Sequence, residues 1–527
     1  MTTSSPQPTG SNTFVRRIAT AAVLIAIGNV ASRFLGLIRE AVIAQTFSIS
    51  GAVDAFTAAS LVPTTLYDLL INGAISAALV PVFSEYAEGD EREFWRVAST
   101  MINLAVLMLS FATLISIWQA PLVISVLAGG FDEEISTLAT DMVRWMMPSV
   151  IFVGLSGLIT ALLHSRQRFL LPSFTASAYN IGIIIGAVAL TPLLDPVVQP
   201  FSLVAGVILG SLFQVFLQLP GLRGISYQFI LDLRHPGVRR ILLLYAPVAM
   251  GISFSIAGMI LDRNLASNMN EGTIATMRFA TTLIQFPLGL VAAAVSFAVL
   301  PTLSRQVSAG DETGFRTTLA MGIKVVLLLI LPATAGLAAL STPIVALVFE
   351  GNEFRAEQTA IVVAALLLYL PGLPAAAVDQ MLLFGFYAHR RTLTPNLVQG
   401  AAVGFYAITA FTLMGFGLRI EALILGNSAQ WIAHMLVLLV LSRGLFSLRG
   451  LGIATALLKC TIASLALAGV AWGLASALEP LGRIVQFLVA GSVASAVYFG
   501  VCMVLRVEAL TFFTRAVQQR LRRKNGS

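Results

Sequence analysis

Arg33, Arg39 and Glu40 stand in a stretch that is otherwise apolar from about residue 18 to 46. Asp54, Thr57, Thr65, Asp68, Asn72 and Ser76 stand in the next such stretch, 52–84. A charge at mid-bilayer costs roughly 2.5–3.5 kcal/mol on insertion scales, so these side chains are expected to face a cavity or a partner. Glu40 follows Arg33 by seven residues, which puts both on one helix face. At about 100° per residue, Thr65, Asp68 and Asn72 fall within about 40° of Asp54, as one polar stripe down an apolar helix. A later stretch gathers Arg278, Thr281, Thr282 and Gln285 on one face, and another ends in Asp262-Arg263. The forked donors of arginine suit phosphate, and carboxylates on a facing helix compensate them while a site is empty. Arg33, Arg39, Asp54 and Arg278 are therefore read as contacts for an anionic substrate, with Ser32 beside them. Asn29, Thr65, Tyr67, Asp68, Asn72, Thr282 and Gln285 are candidate cavity lining, and Asp262 is the candidate for ion coupling. The plainer alternative is mutual pairing as structural glue, or snorkelling to an interface. Arg144 and Arg263, near the ends of their stretches, are read that way.

Composition dictates the kind of element that carries these residues. Of 527 residues, 57% are hydrophobic and 11% charged, with a mean hydropathy of +0.89. An average soluble domain carries about 25% charge. A soluble surface, a disordered chain and a disulfide scaffold are excluded. The long apolar runs also exclude a β-barrel, whose strands alternate over about ten residues. The class that remains is an all-α polytopic membrane protein. Fourteen spans are expected, at 18–46, 52–84, 97–127, 138–163, 172–192, 200–220, 240–265, 273–304, 317–348, 358–388, 394–415, 420–442, 453–476 and 484–506. With the N-terminus inside, the cytoplasmic loops and tails, together with the span ends that adjoin them, hold 24 of the 32 basic residues, and the opposite loops hold only Arg355, Arg419 and Arg483. That is the positive-inside pattern. The net charge of +7 is thus a topology signal and not a sign of nucleic acid. Residues 1–17 read as a disordered cytoplasmic leader and 507–527 as a basic cytoplasmic tail.

Two stretches about 220 residues apart are alike. A-L-V-P-V-F-S from Ala78 with D-E-x-x-F-W-R from Asp90 matches A-V-L-P-T-L-S from Ala298 with D-E-x-x-F-R from Asp311. R-F-L-L-P ending at Pro172 matches R-T-L-T-P ending at Pro395. The repeat predicts two parallel six-span lobes, 18–222 and 236–443, with spans 13–14 at 453–506 appended. Transporters built from parallel repeats bind substrate between lobes and alternate access by rocking.

Other chemistry is scarce. No GxxxxGK[ST] phosphate loop is present, so energy is expected from membrane potential or a gradient of Na+ or H+, without a bound cofactor or metal. His164, His235 and His389 fall at cytoplasmic loops and read as solvated. His434, in span 12, reads as a hydrogen-bonded packing residue and not a proton carrier. Cys460 and Cys502 read as core thiols.

The stretch S-R-F-L-G-L-I-R-E-A from Ser32, D-A-F from Asp54, Pro63 and N-G-A-I-S-A-A-L-V-P from Asn72 resembles the MurJ/MviN family of lipid II flippases. L-D-R-N-L-A-S from Leu261, L-P-T-L-S from Leu300 and F-Y-A-H-R-R-T-L-T-P from Phe386 extend the resemblance over about 18–505. It implies a fold of the multidrug/oligosaccharidyl-lipid/polysaccharide exporter superfamily, with two six-helix lobes and a lipid-tail groove from the last two spans. It implies flipping of an undecaprenyl-diphosphate-linked peptidoglycan precursor across a bacterial cytoplasmic membrane, with both termini cytoplasmic. The implied partners are lipid II, membrane lipids and, as candidates, cell-wall synthesis proteins. The family's cavity arginines and aspartate match Arg33, Arg39 and Asp54, and its adjoining serine matches Ser32. The chain departs at Tyr67 and Thr282, where the family has arginines, and at Asn72, where it often has glutamate. Arg278 lies one turn before Thr282, about 40° around the helix. Asp262 matches the acid of a sodium site found in some relatives. Span 11 offers only Tyr406 and Thr409 as partners, so that site is not expected. The departures leave two alternatives open: flipping of another polyprenyl-diphosphate glycan, and a non-transporting cell-wall scaffold.

Overall fold

The computed structural model describes residues 10–222, 224 and 226–511. The expected leader before residue 10, Arg223, and tail residues 512–527 lie outside them, as do the side chains of Arg16 and Arg17. All regular structure among the described residues is helical. Ten helices are long and apolar enough to cross a membrane, and three bent pairs bring the total to as many as thirteen. These coincide with expected spans 2–14. Expected span 1 is the continuous 38-residue helix Gly10–Phe47.

The bends have a cause in the sequence. Proline lacks an N–H and its ring crowds the carbonyl four residues back. Glu133–Met146 and Ser149–Ser165 meet at 46° beside Pro148, and Ala356–Tyr369 and Gly372–Ala388 meet at 46° beside Pro371. Both breaks are mended by a hydroxyl from a neighbouring helix. Thr113 Oγ1 donates to the Met147 carbonyl at 3.4 Å. Ser428 Oγ reaches the carbonyls of Leu368 (2.9 Å) and Tyr369 (3.2 Å). The equivalent spans 4 and 10 of the two repeated stretches are thus broken alike.

The chain packs as two compact units. Of the described residues, the first gathers those up to Arg39, Ala59–Ala120 and Thr140–Ser253; the second gathers Glu40–Ala58, Pro121–Ala139 and those from Phe254 onward. In the first, spans 5 and 6 touch backbone to backbone. A Cβ on Gly182 would lie 2.2 Å from the Gly210 Cα, and one on Gly186 2.6 Å from the Gly206 Cα. Small residues four apart permit this approach in lipid, where apolar surface alone drives little helix association. Polar contacts tie the loop ends of the same unit. Arg240 binds Glu85 (2.5 and 3.0 Å), Arg166 binds Glu91 (2.5 Å) and Arg96 binds Asp232 (2.8 Å). His235 is buried and lies 2.8 Å from Glu93, so the expectation of a solvated imidazole is corrected. Its place between the 2–3 and 6–7 loops depends on chain-distant packing.

In the second unit, spans 9, 13 and 14 enclose an apolar cavity of about 270 Å³ lined by Leu328, Gly336, Leu467, Gly491, Tyr498 and Phe499 among others. Cys460 and Cys502 are buried as free thiols in its wall helices. Buried Lys324 of span 9 meets Glu508 at 2.5 Å, a charge pair that neutralises a lysine 5% exposed.

Candidate functional site

Span 8 begins at Thr273, after Gly272, whose φ of 80° is a left-handed turn that glycine adopts without strain. Gly272 has no side chain with which to cap the helix. The carboxylate of Asp54, from the first turn of span 2, supplies the cap. The N–H of Gly272 donates to its Oδ2 and the N–H of Ala275 to its Oδ1, each at 2.7 Å. The favour is returned: Glu271 Oε1 accepts the N–H of Gly51, the first residue of span 2, at 2.6 Å. Two helix N-termini are therefore capped by each other's carboxylates, where unsatisfied N–H groups and the helix dipole favour negative charge.

One turn further into span 8, Arg278 grips Glu40 with both prongs of its guanidinium, Nε to Oε2 at 2.7 Å and Nη2 to Oε1 at 2.8 Å. Its Nη1 donates to Thr57 Oγ1 at 3.0 Å, and the guanidinium stands 5.2 Å over the Phe56 ring. Glu40 is 2% exposed and the Arg278 side chain 14%. A buried pair repays its desolvation only with good geometry and further hydrogen bonds, both met here. Nearby contacts extend the lock. Gly130 N–H donates to Ser267 Oγ at 3.1 Å, and Asn264 Nδ2 donates to the Val126 carbonyl at 3.0 Å. Glu353 N–H donates to the Gln45 carbonyl at 3.2 Å. The connections between spans 1–2, 3–4, 7–8 and 9–10 are thus tied at one end of the second unit.

The first unit holds the remaining expected contacts. Arg39 Nη1 donates to Asn180 Oδ1 at 2.9 Å, and Asn180 Nδ2 donates to the Ser32 carbonyl at 3.1 Å. Asn180, on span 5, is not among the site residues expected from sequence. Its one signal is a lone amide in an apolar span. Arg33 and Asn29 are exposed, and Arg33 forms no ion pair among the described residues. Asp54 and Arg278 belong to the other unit, so the expected set is divided between the two. Glu40, which shares a helical face with Arg33, spends its carboxylate on Arg278.

The stripe expected down span 2 is reshaped. Residues Asp68–Asn72 and Ile75–Leu79 are π-helical, and their wider turns rotate the rest of the helix. Asn72 Nδ2 donates to Asp68 Oδ1 at 2.8 Å. The Ile71 side chain and the Tyr67 ring fill the gap left by Gly157, where a Cβ would come within 2.6 and 3.1 Å of them. Thr65 is half-buried. Thr282 Oγ1 donates back to the Arg278 carbonyl at 2.9 Å, and Gln285 is exposed.

Asp262 accepts a hydrogen bond from Tyr406 Oη at 2.7 Å, so one lone pair of the candidate coupling acid is already used by span 11. Among the described residues no three His, Cys, Asp or Glu side chains converge as metal ligands would. The arrangement thus leaves Arg33 exposed and Arg39 held by Asn180 on span 1 of the first unit, and in the second unit a set of charge and cap contacts across helix ends.

The sequence profile of the family described as "Lipid II flippase MurJ" matches residues 43–493. The lipid II flippase MurJ of Burkholderia cenocepacia is 30% identical over 387 residues, covering 72% of this chain and 74% of that protein. Among solved structures, a lipid II flippase MurJ in an inward closed conformation superposes with a TM-score of 0.79 at 25% identity, over 93% of this chain and all of that one. An inward-facing MATE family transporter of the MOP superfamily superposes with a TM-score of 0.64 at 13% identity, over 82% of this chain and 98% of that one, a likeness of fold.

Proposed function

This chain belongs to the lipid II flippase MurJ family, and we propose on that basis that it carries lipid II from the inner to the outer leaflet of a bacterial cytoplasmic membrane by alternating access. It is a transporter and not an enzyme. The observation that carries the mechanism is the lock formed by Asp54, Glu271, Glu40 and Arg278. With both termini in the cytoplasm, as the distribution of basic residues supports, this lock lies on the outer side. It closes that side, as one half of an alternating cycle requires. Every member is a hydrogen bond or ion pair with an alternative partner in water, so the contacts break and remake at modest cost once the helix ends part.

Arg33 and Arg39 then serve as the diphosphate contacts, with Ser32 beside them. Asn180 orients Arg39 in the absence of lipid. Arg278 is occupied by Glu40 while the outer side is closed, so its guanidinium becomes available to an anion only as the lock opens. This gives Arg278 a place late in the cycle, where it draws the headgroup outward. The apolar cavity among spans 9, 13 and 14 accommodates part of the polyprenyl tail, which stays in hydrocarbon while the headgroup crosses.

The experiment is complementation of a strain depleted of its own lipid II flippase. The chain is expected to restore growth and rod or coccal shape. Failure despite verified membrane expression refutes the assignment of lipid II as its substrate.

A further inference from the structure

One titratable pair, a buried histidine and a part-buried aspartate, takes no part in the mechanism above. His434, in the middle of span 12, is 6% exposed. Its Nδ1 lies 2.8 Å from Asp379 Oδ1 on span 10. An ionised carboxylate only accepts, so Nδ1 carries the hydrogen. That leaves Nε2, which is buried and has no hydrogen-bond partner in the neutral ring. Buried polar atoms are nearly always satisfied, and an exception calls for an explanation. A proton there would make Nε2 a donor, and the backbone of Pro395 on span 11 lies near the ring as an acceptor.

The surroundings define the charge. Span 10 contributes Asp379 and, two turns along, the half-exposed Tyr387. Span 11 has no charged side chain, and its Tyr406 packs against Gly426, two turns from His434. The helix Ala356–Tyr369 offers Tyr369 and Glu357, the latter exposed in its first turn. The other carboxylate of span 12, Glu421, stands at the far end of that helix. Spans 8 and 9, which also pack on Gly372–Ala388, carry Arg278 and Arg305, and Glu312, Arg316 and Lys324; Arg278 is bound to Glu40, Arg305 to the Pro301 carbonyl, Arg316 to the Ser447 carbonyl and Lys324 to Glu508. Among these described groups no cation other than His434 pairs with Asp379. With a neutral imidazole the pair holds a net charge of one electron in an apolar contact; with a proton on Nε2 it holds none.

The pair also sits where a charge change has leverage. Among the described residues, polar side chains join spans 10 and 12 at two places along their packed faces. One is Ser428, whose hydroxyl mends the Pro371 break and whose Cα would lie 2.9 Å from a Cβ on Gly372. The other is the Asp379–His434 contact, two turns further along the segment beyond the break. That segment, Gly372–Ala388, is the half of a bent span that can pivot about Pro371.

We propose that Asp379 and His434 form a proton-binding site, and that its loading and unloading set the tilt of Gly372–Ala388 and so couple transport to a proton gradient. This rests on the flippase reading and names its energy source. The step is one proton binding to the Nε2 lone pair from the aqueous phase on one side of the membrane and leaving as a proton to the other, with no change of oxidation state. Loaded, the pair is an imidazolium–carboxylate ion pair that holds spans 10 and 12 together. Unloaded, its uncompensated carboxylate is drawn toward water and the segment swings about the break.

Two measurements test this on the full chain. In the first, the protein is labelled with ¹⁵N-histidine in detergent, and the His434 ring signals are assigned by loss in His434→Gln. The ring is expected to change from one bonded hydrogen to two as pH falls between about 8 and 5, the range of an ordinary histidine switch. A ring that keeps one protonation state throughout overturns the proposal. In the second, the chain is reconstituted in phosphatidylethanolamine–phosphatidylglycerol vesicles with fluorescent lipid II, and distribution between leaflets is followed under imposed pH gradients. One proton per cycle makes each pH unit worth about tenfold in the steady-state leaflet ratio. His434→Gln and Asp379→Asn, the second keeping an acceptor for Nδ1, are expected to lose that dependence. Lipid II that flips without regard to the gradient, or equally under it in variants and wild type, overturns the proton site alone. No flipping by the wild type under any gradient overturns the flippase reading and the coupling with it.

Discussion

Removing the charge of Glu40 while keeping its shape is the most direct test of the lock. In Glu40→Gln the amide oxygen still accepts from Arg278, but the guanidinium stays 14% exposed with no counter-charge. Taking one partner from a buried pair costs roughly 3–5 kcal/mol in the state that buries it. Opening gives Arg278 water, so most of that cost falls on the closed state. A shift of this size moves the equilibrium between closed and open by about 10²–10⁴-fold. Thr276, 2% exposed beside the Asp54 cap, is a suitable reporter. As Thr276→Cys, its labelling by a membrane-impermeant maleimide added outside measures opening. The native Cys460 and Cys502 are fully buried and contribute little background. Labelling is expected to accelerate by at least about tenfold in Glu40→Gln, a conservative reading of that equilibrium shift. The double variant Glu40→Gln/Arg278→Met removes both charges and is expected to return near the wild-type rate, because no unpaired charge remains. Labelling that does not change in Glu40→Gln, or that rises further in the double variant, refutes the claim that this pair holds the outer side shut.

Arg39→Ala is expected to abolish complementation at unchanged membrane abundance, and Arg39→Lys to restore it only in part, since a lysine lacks the planar fork that grips a diphosphate. Full rescue by Arg39→Ala, scored by growth and immunoblot, would refute the clamp. Asp54→Asn leaves one oxygen for two N–H donors and turns an NH2 toward the other, which costs about 1–3 kcal/mol and is expected to lower the melting temperature in detergent and speed Thr276→Cys labelling. Gly210→Leu places a branched side chain against the Tyr179 backbone, where even a Cβ would stand 2.5 Å from a carbonyl oxygen, and is expected to reduce folded yield in size-exclusion chromatography.

Much of this architecture is legible without any coordinate. A bilayer about 30 Å thick converts an apolar run into a span by length alone, and proline and charge mark its ends. The breaks of spans 4 and 10 are marked by Pro148 and Pro371. Arg33, Arg39, Asp54 and Arg278 stand out because an ionised group in an apolar run is costly whatever surrounds it. Asn180 stands in plain view, but a neutral amide costs less and calls less attention to itself.

Partnership is not legible in the same way. Helical period puts Glu40 on the face of Arg33, yet its carboxylate meets Arg278, 238 residues away. The stripe from Asp54 to Asn72 assumes a uniform turn of about 100° per residue, and two π-helical stretches break that phase. The sequence reads His434 as a satisfied packing residue; one nitrogen is satisfied by Asp379, and the other has no partner in the neutral ring. It reads His235 as solvated, and that side chain is buried on Glu93. Which residues are expensive to bury and which segments cross the membrane depend on the local chain and its solvent, so the amino-acid order is enough to settle both. Which charge answers which depends on how distant helices rotate and pack, and that is settled by the tertiary fold alone.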